Sequence, residues 1–276
     1  MTSVQIVSCA CIVKFGGAAL TDKRYMECLN DQGFASCVKL ASQLPSHSCI
    51  VHGAGSFGHF HAAQYNVKAG AAPAASAVSG SAIDEMQHTV GKGMCETRRS
   101  VLKLNALFFS ALMDLGRSAT PVHPMDCWET EDTVLSAVQL TSTQRCIEQN
   151  ILPVLHGDVV FDSVRGYTVL SGDDILLELA SRLRPPFVLF VSDVPGVFLV
   201  PPASASSAIV SDPTFISDCF VDIQGNITRL QLSVADSHHN VPSSLEVGGS
   251  AGTDITGGGN QFYFCSCLIV SSDEIL

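Results

Sequence analysis

The sequence predicts an α/β domain with a mainly parallel central sheet. Short apolar runs rich in β-branched residues alternate with longer stretches of helical periodicity, and several of those runs end in glycine loops. The chain has 276 residues, of which 46% are hydrophobic and 15% charged, enough to bury a sizeable core and too apolar for global disorder. No internal repeat and no linker divides it, so residues 1–276 read as one domain.

In chain order, Val4–Val13 reads as the first strand. It is apolar, lacks a basic leading region and runs straight into Lys14-Phe15-Gly16-Gly17, which favours a strand over a signal peptide. Arg24–Ser42 reads as a helix, with Tyr25, Met26, Leu29, Phe34, Val38 and Leu40 at broadly helical spacing. Ser48–His52 is a short buried strand, and residues 69–82, mostly Ala, Gly and Ser, are a low-complexity loop. Ala82–Leu115 is the longest helical region, in one piece or two, punctuated by Gly116 and Pro121. Ala119–Pro124 and Ile151–Leu155 are further strands. Asp174–Leu183 is a helix stopped by Pro185 and Pro186, and Phe187–Val191 is the most strand-like run. Beyond Pro201 the texture turns polar, and residues 226–256 read as an exposed loop or insertion.

Charge excludes two function classes. Fifteen basic against 26 acidic residues leave a net charge of −11, without the basic footprint of a nucleic-acid binder or a polybasic membrane-surface protein. No stretch approaches the ~18 uninterrupted apolar residues of a membrane span. The eleven cysteines are odd in number, scattered and without Cys-x-x-Cys, which fits reduced thiols and a cytoplasmic protein. Cys265 and Cys267 are too close for an ordinary structural zinc pair, and no metal-ligand set is assigned.

Five motifs carry chemistry, each beside a plainer reading. Lys14-Phe15-Gly16-Gly17-Ala18, followed by Thr21 and Lys23, either holds a phosphate on backbone N–H groups and two lysines, or is a strand–turn with solvated lysines. It lacks the spacing of a Walker A loop. His52-Gly53-Ala54-Gly55-Ser56-Phe57-Gly58-His59 makes a second phosphate-sized concavity, with His59 placed to donate to a phosphoryl oxygen. Its superficial G-x-G-x-x-G lacks the later acidic residue of a dinucleotide site. His156-Gly157-Asp158 is paired with Ser171-Gly172-Asp173-Asp174, where Ser171 or Asp173 caps a helix and Gly172 can offer an N–H to an anion. Ser192-Asp193-Val194-Pro195-Gly196 is either a ligand-facing loop or a simple turn. Asp254-Ile255-Thr256-Gly257-Gly258 is a further small-residue loop.

Together and in this order, these segments resemble the amino acid kinase superfamily and, within it, the isopentenyl phosphate kinases. The text that carries the resemblance is VKFGGAALTDK, VHGAGSFGHFHAAQY, LHGDVVFD, YTVLSGDDILLELASRLRPPFVLFVSDVPGVF and DITGG, covering about residues 10–202 with an island at 254–258. The resemblance implies a three-layer α/β/α sandwich and transfer of a phosphoryl group from MgATP to isopentenyl phosphate in isoprenoid biosynthesis. It implies that Lys14, Gly16, Gly17, Ala18, Gly55, Asp193 and Gly258 serve ATP. Lys23 would stabilise the transferring group, with Lys14 and His59 as its catalytic companions. Ala54, Gly55, His59 and Gly172 would hold the isoprenoid monophosphate, Ala54 standing where the family has glycine. Mg²⁺ would arrive with the nucleotide, and the family is commonly a homodimer. The alkyl chain needs an apolar slot, for which Val101, Leu104 and Phe108 are candidates beside a plain core role.

The sequence departs from this pattern at its end. The family places a lysine three or four residues after Thr-Gly-Gly; here those positions are Gln261 and Phe262, and no lysine follows Lys103. The tail from 259 does not match the family's closing helix and strands, so the terminal elements are expected to be incomplete, with Phe262–Val270 apolar enough to cover some exposed sheet. Residues 185–276 carry one basic residue, Arg229, against nine acidic ones. The alternative functions are therefore a catalytically impaired form that keeps the fold and phosphate binding, and a kinase of another small phosphate or phosphonate.

Overall fold

The computed structural model describes residues 8–70, 80–192, 197–198, 215–221, 227–232, 244–246 and 266–271. The first half of the chain forms β1 (Ile12–Phe15), α1 (Gly17–Leu20), α2 (Asp31–Ser42), β2 (Cys49–His52), α3 (His59–Gln64), α4 (Gly80–Asp114), β3 (Ala119–Pro121), β4 (Trp128–Glu131) and β5 (Val134–Val138). Next come α5 (Thr141–Glu148), β6 (Leu152–His156), β7 (Asp158–Asp162), β8 (Gly166–Leu170), α6 (Gly172–Leu183) and β9 (Phe187–Ser192). The rest is β10 (Val197–Phe198), β11 (Phe215–Val221), β12 (Ile227–Leu232), β13 (Ser244–Glu246) and β14 (Ser266–Ser271).

The central sheet has the order β14-β9-β1-β2-β6-β3, and every neighbouring pair is parallel. Successive side chains along a strand point to opposite faces, and both faces are covered. Ile12, Val51 and Leu155 join Ile175, Leu176 and Leu179 of α6 in one core cluster. Their neighbours Val13, Ile50 and Val154 join Cys37, Val38 and Ala41 of α2 and Phe108 and Leu112 of α4 in the other. Burial on both faces is why these strands read as unbroken apolar runs. The result is the expected three-layer α/β/α sandwich with a mainly parallel sheet.

Several boundaries move. The first strand begins at Ile12, not Val4, and residues 1–7 lie outside the described residues. The helix expected from Arg24 begins at Asp31, because the side chain of Asn30 accepts the N–H of Gly33 and caps it there. The preceding residues fold back instead, with Thr21 bridged to Leu29 and Glu27 at φ 52°. α4 is one continuous helix. Its Gly93 admits the ring of Tyr65, since a Cβ there would stand 2.2 Å from the Tyr65 Cβ. Most of the loop expected at 69–82 lies outside the described residues. The 226–256 segment is more than a loop: β12 and β13 lie within it and extend the antiparallel sheet β10-β11-β12-β13.

The tail supplies an element that the sequence left open. Ser266–Ser271 pairs in parallel with the whole of β9, Ser266 opposite Phe187 through Ser271 opposite Ser192. The central sheet thus gains its outer strand from the segment that departs from the family pattern. Among the described residues, no helix is long and apolar enough to cross a membrane.

A second sheet, β5-β4-β7-β8, went unread in the sequence. Its two hairpin turns are joined by Asp162, which is 3% exposed and accepts the Thr130 hydroxyl at 2.8 Å and the N–H groups of Asp132, Thr133, Val164 and Arg165 at 2.7–3.2 Å. Burial alone would raise its carboxyl pKa, but these donors outweigh burial and hold it well below the usual carboxylate range. The folded state therefore prefers the ionised carboxylate. Its stabilisation is present above pH ~4 and fades as pH falls further. Asp162→Asn is expected to lower stability by about 1–3 kcal/mol at pH 7 and by less at pH 3. Urea unfolding at both values checks this; equal losses would contradict it.

Candidate active site

β1, β2, β6 and β9 all deliver their C-terminal ends to one edge of the sheet, where open α/β sheets place ligands. The loops after β1 and β2 are pressed together there. A Cβ on Gly17 would stand 2.5 Å from the N of Gly55, and a Cβ on Gly53 2.7 Å from the N of Gly17. Gly55 sits at φ +51°, and a Cβ there would meet the Thr21 hydroxyl oxygen at 2.1 Å. That hydroxyl donates to Gly17 O at 2.6 Å and accepts the Ser56 N–H at 2.9 Å, so Thr21 pins the two loops to each other. A third approach closes the floor: a Cβ on Gly157 would lie 3.2 Å from Gly172 N and 3.9 Å from Ala54 N.

Lys14, at 8% exposure, reaches up from β1 and forms an ion pair with Asp173 in the first turn of α6. Ser171 is the cap of that helix, accepting the Asp174 N–H at 3.1 Å. Capping was open to either Ser171 or Asp173; Asp173 instead faces Lys14. No sequence spacing could show this, because 159 residues separate the partners.

Lys23 and His59 line one cavity of about 250 Å³ with Gly55, Ser56, Phe60 and Ala63. Lys23 is exposed, on the turn after α1. That turn is tied to the second glycine loop by Glu27 N to Ser56 O at 3.2 Å and by the Ser56 hydroxyl, which donates to Cys28 O at 2.9 Å. It is tied to α4 by Lys103 on Glu27 at 2.7 Å. Desolvation by the surrounding protein lowers the pKa of His59, and the charge of Lys23 lowers it further. Both effects disfavour the charged imidazolium.

Of the expected site residues, the structure brings Lys14, Gly16, Gly17, Ala18, Lys23, Ala54, Gly55, His59 and Gly172 to this edge of the sheet. Asp193 and Gly258 lie outside the described residues. Of the two roles open to Val101, Leu104 and Phe108, their burial fits the core: all are at most 2% exposed, and the cavity beside Lys23 and His59 takes its apolar wall from Phe60 and Ala63. Helical periodicity marks an apolar residue as inward-facing but cannot tell core from cavity. Asp158, 2% exposed, faces Arg98 at 3.6 Å, and burial pushes its pKa up to about 6.

The amino acid kinase family model matches residues 10–210. The chain belongs to the amino acid kinase family. The isopentenyl phosphate kinase of Arabidopsis thaliana is 32% identical over 235 residues, 71% of this chain and 67% of that protein. That of Haloferax volcanii is 31% identical over 249 residues, 90% of this chain and 83% of that one, so the likeness extends past residue 202. A solved isopentenyl phosphate kinase superposes at TM-score 0.62 with 29% identity over 70% of this chain and 75% of that one. A substrate complex of an isopentenyl phosphate kinase superposes at TM-score 0.59 with 26% identity, covering 70% and 74%.

Proposed function

We propose that this member of the amino acid kinase family transfers the γ-phosphoryl group of ATP to isopentenyl phosphate, giving isopentenyl diphosphate and ADP. One observation carries the reading: two interlocked glycine loops meet at one edge of the sheet, with Lys14 beside the first and with Lys23 and His59 lining a cavity against the second. An oxygen of the substrate phosphate attacks the γ-phosphorus, and the bond to the β–γ bridging oxygen breaks as ADP leaves. The nucleophile is already ionised, so no general base is needed, and the protein's task is alignment and charge neutralisation.

Gly16, Gly17 and Ala18 line the nucleotide phosphates, with Lys14 beside them. Lys23 neutralises charge on the group in flight. Ala54, Gly55 and Gly172 offer backbone N–H groups to the acceptor phosphate. His59 donates a ring N–H to an acceptor oxygen. Phe60 and Ala63 give the isoprenoid chain its apolar wall. Among the described residues no group of three or more His, Cys, Asp or Glu is placed to hold a metal ion. Mg²⁺ would arrive with the nucleotide and screen the phosphate charge.

A coupled assay with MgATP and isopentenyl phosphate tests the reading, and turnover no greater than that of Lys23→Ala would sink it. His59→Ala is expected to raise KM for isopentenyl phosphate at least tenfold, in line with loss of a hydrogen bond to a charged group, with little change in KM for ATP. An unchanged acceptor KM would remove His59 from the acceptor phosphate. A panel of small phosphates and phosphonates, run alongside, tests the substrate class.

A further inference from the structure

Two buried histidines stand beneath the glycine loops, unused by this chemistry. His52 ends β2 and His156 ends β6, and the parallel register sets them side by side. Both have 0% exposure, and their ring centroids are 5.7 Å apart. Phe108 packs on His52 at 5.7 Å between centroids. Each ring places Nδ1 3.0 Å from the carbonyl oxygen of the next residue, Gly53 or Gly157. A carbonyl oxygen can only accept, so Nδ1 carries the proton in both rings.

Burial, and secondarily His156, pushes the pKa of His52 down to about 4; burial pushes that of His156 down to about 3. Both rings are neutral at pH 7, and each Nε2 must then accept. For His156 the donor is Nδ1 of His123, at 2.9 Å. For His52 the neighbour is Asn105, 1% exposed, whose amide oxygen lies 3.1 Å from Nε2 while its buried amide nitrogen has no hydrogen-bond partner among the described residues. Two acceptors facing each other repel. Turning the amide over gives Nε2 the N–H it needs and ends the isolation of the nitrogen.

The consequence falls on Ala54. The C=O of Gly53 and the N–H of Ala54 belong to one trans peptide unit and point in opposite directions. With the oxygen held by His52, the N–H turns away from the ring; Ala54 N and Gly172 N both lie within 4 Å of where a Cβ on Gly157 would stand. We propose that His52, oriented by Asn105, is a positioning residue that aims the Ala54 N–H at the acceptor phosphate. This rests on the phosphoryl-transfer reading of the site given above.

Two substitutions separate this role from simple packing. His52→Asn keeps an N–H donor close to where Nδ1 stands but leaves a void; His52→Phe fills the volume but has no donor. Positioning requires His52→Phe to be the worse: kcat/KM for isopentenyl phosphate should fall about 10–100-fold, with His52→Asn within about threefold of wild type and KM for ATP unchanged in both. If the ring only packs, the order reverses, and the proposal falls. Two spectroscopic measurements need no turnover. Nitrogen-15 spectra of histidine-labelled protein at pH 7 should show His52 as the neutral Nδ1–H tautomer, whereas an Nε2–H tautomer or an imidazolium overturns the proposal. Titration with inorganic phosphate should shift the Ala54 amide in wild type and not in His52→Phe, and no shift in wild type also overturns it. Correct tautomer and amide response without turnover of isopentenyl phosphate would defeat the functional reading and leave this one standing.

Discussion

Lys14→Met is expected to lower kcat/KM about 10²–10³-fold, as removal of a preorganised electrostatic group does, while the protein stays folded. Methionine keeps an apolar stem of similar length where the lysine runs out of β1 past the ring of Phe190, 5.7 Å from its ammonium. What disappears is the charge. The ammonium pairs with Asp173 in a partly buried setting, with side-chain exposures of 10% and 21%. Removing it also leaves an unbalanced carboxylate beside the proposed nucleotide phosphates, so repulsion adds to lost attraction. Lys14→Arg keeps the charge but not the slender, single-point shape, and should recover only part of the rate. Steady-state kinetics alongside a thermal melt check both variants. A folded Lys14→Met protein within threefold of wild-type kcat/KM would take Lys14 out of the site.

Gly55→Ala should be nearly as damaging, for a steric reason. The added methyl would fall 2.1 Å from the Thr21 hydroxyl oxygen and 2.6 Å from Gly17 O, and a backbone at φ +51° is strained for any side chain. Flexible side chains can yield, but Gly17 O is backbone, and moving it separates the two phosphate loops. We expect a loss of about 2–5 kcal/mol in unfolding free energy and a fall in kcat of at least about 100-fold in the protein that remains folded. Gly116→Ala is the control. That glycine also has positive φ, at 78°, but nothing lies within 4 Å of a Cβ there, so only the conformational strain remains. It should cost about 1 kcal/mol and leave kcat unchanged. Equal losses of activity in the two variants would show that close approach of the loops is not what Gly55 provides.

The sequence alone determined the α/β class, the parallel sheet and the order of the glycine loops. These depend on local signals: unbroken apolar runs for strands buried on both faces, and small residues where backbone meets backbone. It placed Lys14, Lys23 and His59 on those loops for the same reason. The tail was legible only as apolar. That it pairs along β9 depends on which sheet edge stands open, and edge pairing requires little of the sequence beyond β propensity.

Only the tertiary structure decided the long-range partnerships. Lys14 meets Asp173 from 159 positions away. Thr21 locks Gly17 to Ser56. Phe60 and Ala63, not Val101, Leu104 and Phe108, wall the cavity. In the sheet β5-β4-β7-β8 a single carboxylate, Asp162, ties together N–H groups from two separate turns. His52 and His156 each open a glycine motif but carried no role of their own until the β2–β6 register set them side by side below the loops. Local periodicity records which way a side chain points. What it meets there is fixed by the packing of segments distant in the chain, which no spacing encodes.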